Sequence, residues 1–188
     1  MTIKNKQWNT RNLILCAVFA DLIAIGAYIK IPVPIVPFTL QFLFANLAGL
    51  LLGKKLGAIS VAIYIAMGLI GIPVFTGGGG IGYIFRPTFG YIIGFMAGAW
   101  LTGFIAEKTK TPSSKRLLAA GFAGLGIVYL FGMSYYYIIA NYYMNSPIGV
   151  WALILYGFIL AVPGDIAICF TSAVLAKRLI PIVKGSQL

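Results

Sequence analysis

Apolar runs with few charged residues follow one another through almost the whole chain of 188 residues, and most of them are long enough to cross a bilayer. Hydrophobic residues make up 61% of the sequence and charged residues 9%, whereas soluble proteins contain about 45–50% and 25%. In water such a chain would expose very large apolar patches. We therefore expect one integral membrane domain over residues 1–188, with no room for a separate soluble module.

The apolar runs predict an all-α bundle of six transmembrane helices. Prolines 32, 34 and 37 cannot continue a helix and so separate the first two runs, while Pro163 and Gly164 interrupt the last. The second run is short for a full crossing and needs either tilt or a loop that folds back into the bundle. The six predicted spans cover residues 12–29, 39–52, 57–72, 87–106, 117–143 and 148–179.

Basic residues are distributed unevenly between the two sides of this predicted bundle. The net charge is +11, and all fourteen lysines and arginines except Lys30 and Arg86 fall on the side of the chain termini. Because lysine and arginine accumulate in cytoplasmic loops, both termini are predicted to be cytoplasmic. This distribution explains the excess of positive charge without a nucleic-acid partner. We expect the chain to be a multi-pass protein of the cell membrane.

A run of glycines between aromatic residues lies in a predicted external loop. Phe75 precedes the run and Tyr83 follows it, an enclosure that favours a binding site over a flexible linker. Backbone without side chains can approach a ligand closely and offer N–H donors to an anionic group. No Gly-Lys-Ser/Thr follows, so this is not a Walker A loop. The residues concerned are Gly77, Gly78, Gly79 and Gly80.

Asp165 is the residue that most strongly indicates function. A carboxylate inside an apolar span is costly unless it is paired, protonated or faces an aqueous cavity, and Pro163-Gly164 loosens the helix just before it. An internal salt bridge would require Arg86 or Lys30 as its partner. Arg86, at the start of the fourth span, is interpreted either as the partner of a substrate carboxylate or as an anchor at the membrane interface.

Thr39, Gln41 and Asn46 add neutral hydrogen-bonding groups after the proline run. They are candidate ligands for a polar substrate, and the alternatives are helix capping by Thr39 and hydrogen bonds between helices by the two amides. Enzyme activity is not expected, because the chain has no histidine and its three acids lie in different segments. The same scarcity argues against a metal site or a bound cofactor.

Four motifs together resemble the BioY family, the biotin-specific S components of energy-coupling factor (ECF) transporters. They are the proline run with its continuation at 31–41, the glycine loop at 71–83, Arg-Pro-Thr-Phe-Gly-Tyr at 86–91 and Pro-Gly-Asp at 163–165. The resemblance implies high-affinity capture of biotin and its delivery inward with a transmembrane coupling protein and two ABC-type ATPases, which hydrolyse the ATP. It also implies docking of the coupling protein through small residues of the first helix, where Ala20 and Ala24 match and Asp21 is a polar intrusion.

Biotin, as the transported ligand, suits the candidate residues. Its ureido ring suits Asp165 with Asn46 or Gln41, its carboxylate suits Arg86 and the glycine amides, and the proline run would close over it as a gate. Its thiophane ring suits the aromatic side chains Phe75, Tyr83 and Tyr91. The alternative function is a stand-alone proton-coupled carrier of a small organic acid that uses Asp165, and a membrane-embedded enzyme is the least supported.

Overall fold

The computed structural model describes residues 9–31, 37–109 and 111–185, and these are mostly helical. Lys4, Lys6, Pro32 and Pro34 lie outside the described residues, and so does most of the predicted gate. The helices are α1 (Thr10–Tyr28), α2 (Gln41–Leu69), α3 (Phe89–Ala106), α4 (Ser114–Ile138), α5 (Val150–Ile154) and α6 (Val162–Gly185). Short elements are the antiparallel strands β1 (Lys30–Ile31) and β2 (Phe38–Thr39), a 3-10 helix (Ile81–Phe85) and π-helical turns at Ile139–Tyr143 and Leu155–Ile159.

The all-α class is confirmed, but six separate helices are not. Among the described residues, five stretches are long and apolar enough to cross a membrane. The difference from the prediction arises in α2, where the predicted second and third spans form one element. The five stretches are Thr10–Tyr28, Gln41–Leu69, Phe89–Ala106, Ser114–Tyr143 and Val150–Val183.

The backbone of α2 reverses direction at Gly53, whose φ of 84° and ψ of 178° are not helical. A Cβ on Gly57 would lie 2.8 Å from the Cα of Gly49, although eight residues of straight helix span about 12 Å. At the far ends of the two arms, Gln41 Nε2 donates to the Tyr64 hydroxyl at 2.6 Å. Thus α2 is a hairpin with arms 41–52 and 54–69, and glycine at 53 supplies the positive φ that the turn requires.

The start of α1 and the end of α6 meet at one end of the bundle, which we call the terminal end. Arg11 at the start of α1 donates from Nη2 to the Val183 carbonyl at 2.7 Å. The Gly53 turn is held to the same end, because Lys54 pairs with Glu107 at 2.8 Å just after α3. The opposite end, which carries both short strands and the glycine loop, is called the loop end.

Small residues allow α3 and α4 to pack closely. A Cβ on Gly94 would come within 2.9 Å of the Val128 backbone, and one on Gly98 within 2.9 Å of the Gly124 carbonyl. Such close approach is how helices gain packing energy in lipid, where the hydrophobic effect gives none. It fixes the facing sides of α3 and α4 that hold Tyr91 and Tyr129.

Among the described residues, two large clusters of buried side chains fill the bundle, and a small third one comprises Tyr136, Ala140 and Leu153. The first, called the cavity cluster, is rich in aromatic side chains and includes Phe42, Tyr64, Phe75, Tyr83, Phe89, Tyr91, Phe95 and Tyr129. The second, called the alanine cluster, is aliphatic apart from one phenylalanine and comprises Phe19, Leu47, Ala48, Leu50, Leu51, Ala106, Leu117, Ala120, Ala173, Ala176 and Ile180.

Candidate ligand-binding site

A cavity opens among the loop-end halves of α2, α3, α4 and α6, and its lining is mostly apolar and aromatic with a few polar groups, as in small-molecule sites. Phe38 and Thr39 of β2 and the preceding Pro37 cover it, and Thr76 contributes from the glycine loop. None of the described residues that line it is basic. The lining is completed by Gln41, Phe42, Tyr83, Thr88, Tyr91, Ile92, Phe95, Leu125, Val128, Tyr129, Gly157, Ala161 and Asp165.

Asp165 places a carboxylate in the wall of this cavity. The side chain is 9% exposed, and the Tyr129 hydroxyl donates a hydrogen bond to its Oδ2 atom. The described residues donate no hydrogen bond to Oδ1. The predicted salt-bridge alternative is not seen among the described residues, because the hydrogen-bond partner of Asp165 is a phenol and the lining holds no cation. A largely buried carboxylate with one oxygen free of hydrogen bonds from the described residues is suited to a ligand with an N–H or O–H donor.

Irregular backbone before α6 positions Asp165. Pro163 and Gly164 lie in the first turn of α6, where proline is tolerated, so the interruption of the last span falls earlier, at the π-helical turn and residues 160–161. The Tyr91 hydroxyl donates to the Gly157 carbonyl of this irregular segment at 3.0 Å. Gly157, Ala161 and Asp165 all line the cavity as a result.

Gln41 lines the cavity as the centre of a hydrogen-bond chain. Thr39 Oγ1 donates to Gln41 Oε1 at 3.2 Å, and Gln41 Nε2 donates to the Tyr64 hydroxyl, which donates to the Val74 carbonyl at 3.2 Å. Thr39 therefore does not cap α2, whose first turn has no side-chain cap. The chain connects β2, both arms of α2 and the glycine loop.

The glycine loop, which was predicted to bind an anionic group, lies beside the cavity. Amides of its glycines donate hydrogen bonds to nearby backbone carbonyls. The Gly78 amide donates to the Phe75 carbonyl at 3.1 Å, and the Gly80 amide donates to the Gly68 carbonyl at 2.7 Å. The Arg86 guanidinium lies 5.3 Å from the centre of the Tyr83 ring. Phe75 packs behind that ring, with centroids 4.5 Å apart. Of this group only Tyr83 lines the cavity; the others absent from the lining are Phe75, Gly77, Gly78, Gly79 and Arg86.

Comparison with known proteins identifies the family. The model of the BioY family matches residues 2–185. The chain belongs to the BioY family. A probable biotin transporter BioY of Lysinibacillus sphaericus is 42% identical over 97% of this chain and 93% of its own length. The biotin transporter BioY of Thermotoga maritima is 40% identical over 90% and 95%.

A solved structure has the same fold as this BioY chain. It is the crystal structure, at 2.1 Å, of the S-component for biotin from an ECF-type ABC transporter. The two chains are 30% identical, the match covers 95% of this chain and 94% of the other, and the TM-score is 0.68. The family resemblance derived from the motifs is therefore confirmed.

Asn46 lies outside the cavity of this BioY protein. It is 1% exposed, its Nδ2 atom donates to Ser172 Oγ at 2.7 Å, and its Oδ1 atom has no hydrogen-bond partner among the described residues. The contact joins α2 to α6 about two turns from Asp165 along α6. This geometry favours the alternative interpretation, a hydrogen bond between helices, over contact with a ligand.

The alanines that match the BioY docking motif face inward. Ala20 is 0% and Ala24 8% exposed, and both pack in the cavity cluster. They therefore present no surface to a partner outside the bundle. The exposed face of α1 is formed instead by Ile14, Ala17, Val18, Asp21 and Ile25.

Sequence analysis missed Tyr129, the hydrogen-bond partner of Asp165. Tyr129 is one of eleven tyrosines, and it lies within an unbroken apolar helix. The only signal was a phenol near the middle of a span, which is costly to bury without a polar partner. Thr76 and Thr88 were also missed; both line the cavity and both contact the Tyr83 hydroxyl, at 2.9 Å and 3.0 Å.

Proposed function

We propose that this chain captures biotin and mediates its uptake as the substrate-specific S component of an ECF-type transporter. The observation that carries the proposal is the Asp165 carboxylate, fixed by Tyr129 at one oxygen, in a cavity otherwise lined by aromatic, aliphatic and neutral polar groups. Biotin offers two urea N–H donors on an uncharged, compact ring system. A largely buried carboxylate acceptor discriminates strongly for such donors, because a ligand without them leaves the charge unpaired.

We place the ureido ring at Asp165, with Gln41 as the neighbouring polar group. The thiophane ring would lie against the aromatic wall formed by Tyr83 and Tyr91. Because no basic residue lines the cavity, the carboxylate of biotin belongs at the rim, where Lys30 and Arg86 are the available cations. Lys30 Nζ lies 3.5 Å from the Thr76 carbonyl, and Arg86 lies over the outer side of the Tyr83 ring.

The membrane topology proposed here has six crossings, with both termini in the cytoplasm. The Gly53 reversal supports it, since the two arms of α2 then count as separate crossings. Contacts of Arg11, Lys54 and Lys177 at the terminal end support the orientation, because cytoplasmic ends attract basic residues. The protein would thus be a multi-pass protein of the cell membrane, with its cavity towards the outside.

The proposed partners are a transmembrane coupling protein and two ABC-type ATPases, which hydrolyse ATP, while this chain is not an enzyme. Since Ala20 and Ala24 face inward, we place the docking surface on the exposed face of α1 that contains Ala17 and Asp21. Ala17 is the small residue of this face, and it would let a partner helix approach closely at that point. A donor on the partner would satisfy the Asp21 carboxylate, which has no hydrogen bond to the described residues.

Direct binding tests the proposal. The protein is purified in detergent from cells grown with biotin, and mass spectrometry identifies the small molecules that accompany it. Equilibrium binding then compares biotin, desthiobiotin, which keeps the ureido ring, and lipoic acid, which lacks it. We expect tight binding of the first two and none of the third; equal binding of lipoic acid would refute the assignment of the ureido ring to Asp165.

Transport assays separate the proposal from a proton-coupled carrier. Proteoliposomes that contain the chain alone are compared with proteoliposomes that also contain the coupling protein and ATPases. Uptake against a gradient that requires ATP and the partners supports the S-component function. Accumulation by the chain alone that collapses with an uncoupler would establish the carrier instead.

A further inference from the structure

The Phe38 ring packs against α6 at Gly164, which has no side chain. A Cβ built on Gly164 would lie 2.7 Å from Phe38 Cζ and 3.0 Å from Cδ2, closer than packed atoms approach. The three nearest atoms all belong to that ring. The ring thus rests directly on the backbone of α6, one residue before Asp165.

The backbone of Gly164 does not itself require glycine. Positive φ angles occur at Gly53, Gly71, Gly78 and Gly80 among the described glycines, but not at Gly164, which lies inside α6. Glycine in a helix is less favourable than alanine. The residue therefore weakens α6 locally, and the feature that a methyl group would disturb is the contact with Phe38.

Phe38 belongs to the cover of the cavity. It pairs with Ile31 in the two-stranded sheet, it lines the cavity beside Thr39, and it packs against the cavity cluster. Phe38 is the only aromatic residue of the covering segment 37–39, whose other members are Pro37 and Thr39. The position of its ring on Gly164 thus determines where the cover meets the helix that holds Asp165.

We propose that Gly164 is a positioning residue that seats the Phe38 ring over the cavity, and that this contact limits the rate at which bound ligand leaves. The inference rests on the proposed function, because it takes biotin as the ligand. In the Pro-Gly-Asp sequence of α6, the aspartate then contacts the ligand and the glycine receives the cover. A methyl group at 164 holds the ring away and leaves the cavity open beside Asp165.

A double-mutant cycle tests the contact. Dissociation and association rates of labelled biotin are measured for the full-length wild type, Gly164→Ala, Phe38→Ala and the double variant, together with the thermal stability of each without ligand. Gly126→Ala is the matched control, because Gly126 lies in α4 with no atom within 4 Å of an added Cβ. We expect Gly164→Ala to accelerate dissociation about tenfold, with association changed by less than about twofold.

The cycle distinguishes seating from a local effect on α6. Phe38→Ala alone should accelerate dissociation to a similar extent, and Gly164→Ala should add less than about twofold to it, because the ring it displaces is gone. Additive effects, or a Gly164→Ala rate equal to that of Gly126→Ala, would overturn the inference. If Gly164→Ala misfolds, recovery in the double variant supports the contact, and failure of both while Phe38→Ala folds refutes it. Absence of biotin binding by the wild type would instead refute the proposed function.

Discussion

The cavity cluster and the alanine cluster differ in the size of their side chains and in the regularity of the backbone around them. The alanine cluster joins regular helices through small and aliphatic side chains, and it contains no buried acid. The cavity cluster is built from large aromatic rings beside the cavity, near the π-helical turn, the 3-10 helix and both strands. The comparison teaches that irregular backbone and polar lining groups are placed where a ligand must enter, whereas small and aliphatic side chains join the helices at the other end.

The largest effect is expected from Asp165→Asn in the wall of the cavity, beside the cavity cluster. The substitution turns a charged acceptor into a neutral amide that presents a donor as well, so biotin affinity should fall about 30- to 100-fold. Equilibrium binding measures the loss, and thermal stability without ligand should change little. Tyr91→Phe is the control, since it removes a hydroxyl that is already bonded to Gly157. Equal, negligible losses for both variants would refute the ureido assignment.

The reciprocal change in the alanine cluster is Leu117→Ala. Leu117 is 0% exposed. Its truncation should lower the free energy of unfolding by about 2 kcal/mol, at the low end for buried leucines because lipid gives no hydrophobic contribution between helices. Unfolding in mixed detergent micelles measures this loss. The biotin affinity of the folded fraction should be unchanged, and a parallel loss of affinity would mean that the two clusters are not separable.

Asn46→Ala tests the comparison further, because Asn46 was predicted to bind the ligand but lies outside the cavity. Loss of its hydrogen bond to Ser172 should cost about 1 kcal/mol of unfolding free energy, partly offset by removal of the unbonded Oδ1 atom. Biotin affinity should stay within about twofold of wild type. Ser172→Ala should give a similar stability loss. A large drop in affinity for Asn46→Ala alone would restore its role as a ligand.

The smallest effect is expected at the Gly53 turn. Glu107 pairs with the Lys54 ammonium and also accepts from the Lys54 amide at 3.1 Å, with both side chains about one-third exposed. Glu107→Gln removes the charge and keeps the acceptor, so the cost should be about 0.5 kcal/mol and should shrink in high salt. Glu107→Ala removes both contacts and should cost more. Equal costs would mean that the amide contact contributes nothing.

Sequence reasoning identified part of the cavity lining but not its internal partners. Asp165, Gln41 and Thr39 were found because polar groups in an apolar chain are costly and therefore conspicuous. Tyr129 was not, because a tyrosine in a membrane helix is unremarkable until the fold brings a carboxylate to it. Arg86 and the glycine amides were predicted to meet a carboxylate inside the site. Our proposal instead assigns the carboxylate of biotin to the rim, where Arg86 lies.

The helices were predictable because uncharged runs and proline breaks define them, yet the reversal at Gly53 shows where such reasoning stops. A glycine followed by Lys54 and Lys55 is equally compatible with a short loop or a tight turn. The left-handed backbone of Gly53 and the contact between Gly49 and Gly57 decide between these, and both are features of packing. The interruption before α6 was likewise predicted at Pro163 but begins with the π-helical turn at Leu155.

The hairpin of α2 also affects the surrounding lipid. At 1.5 Å per residue its arms extend about 18 Å and 24 Å, both shorter than a hydrocarbon core of about 30 Å. On the side where the hairpin faces acyl chains, the membrane must become thinner or the whole bundle must lean. We therefore expect the protein to be most stable in bilayers of short-chain lipids. Bilayer thickness would then change the stability of the protein without a direct effect on the cavity.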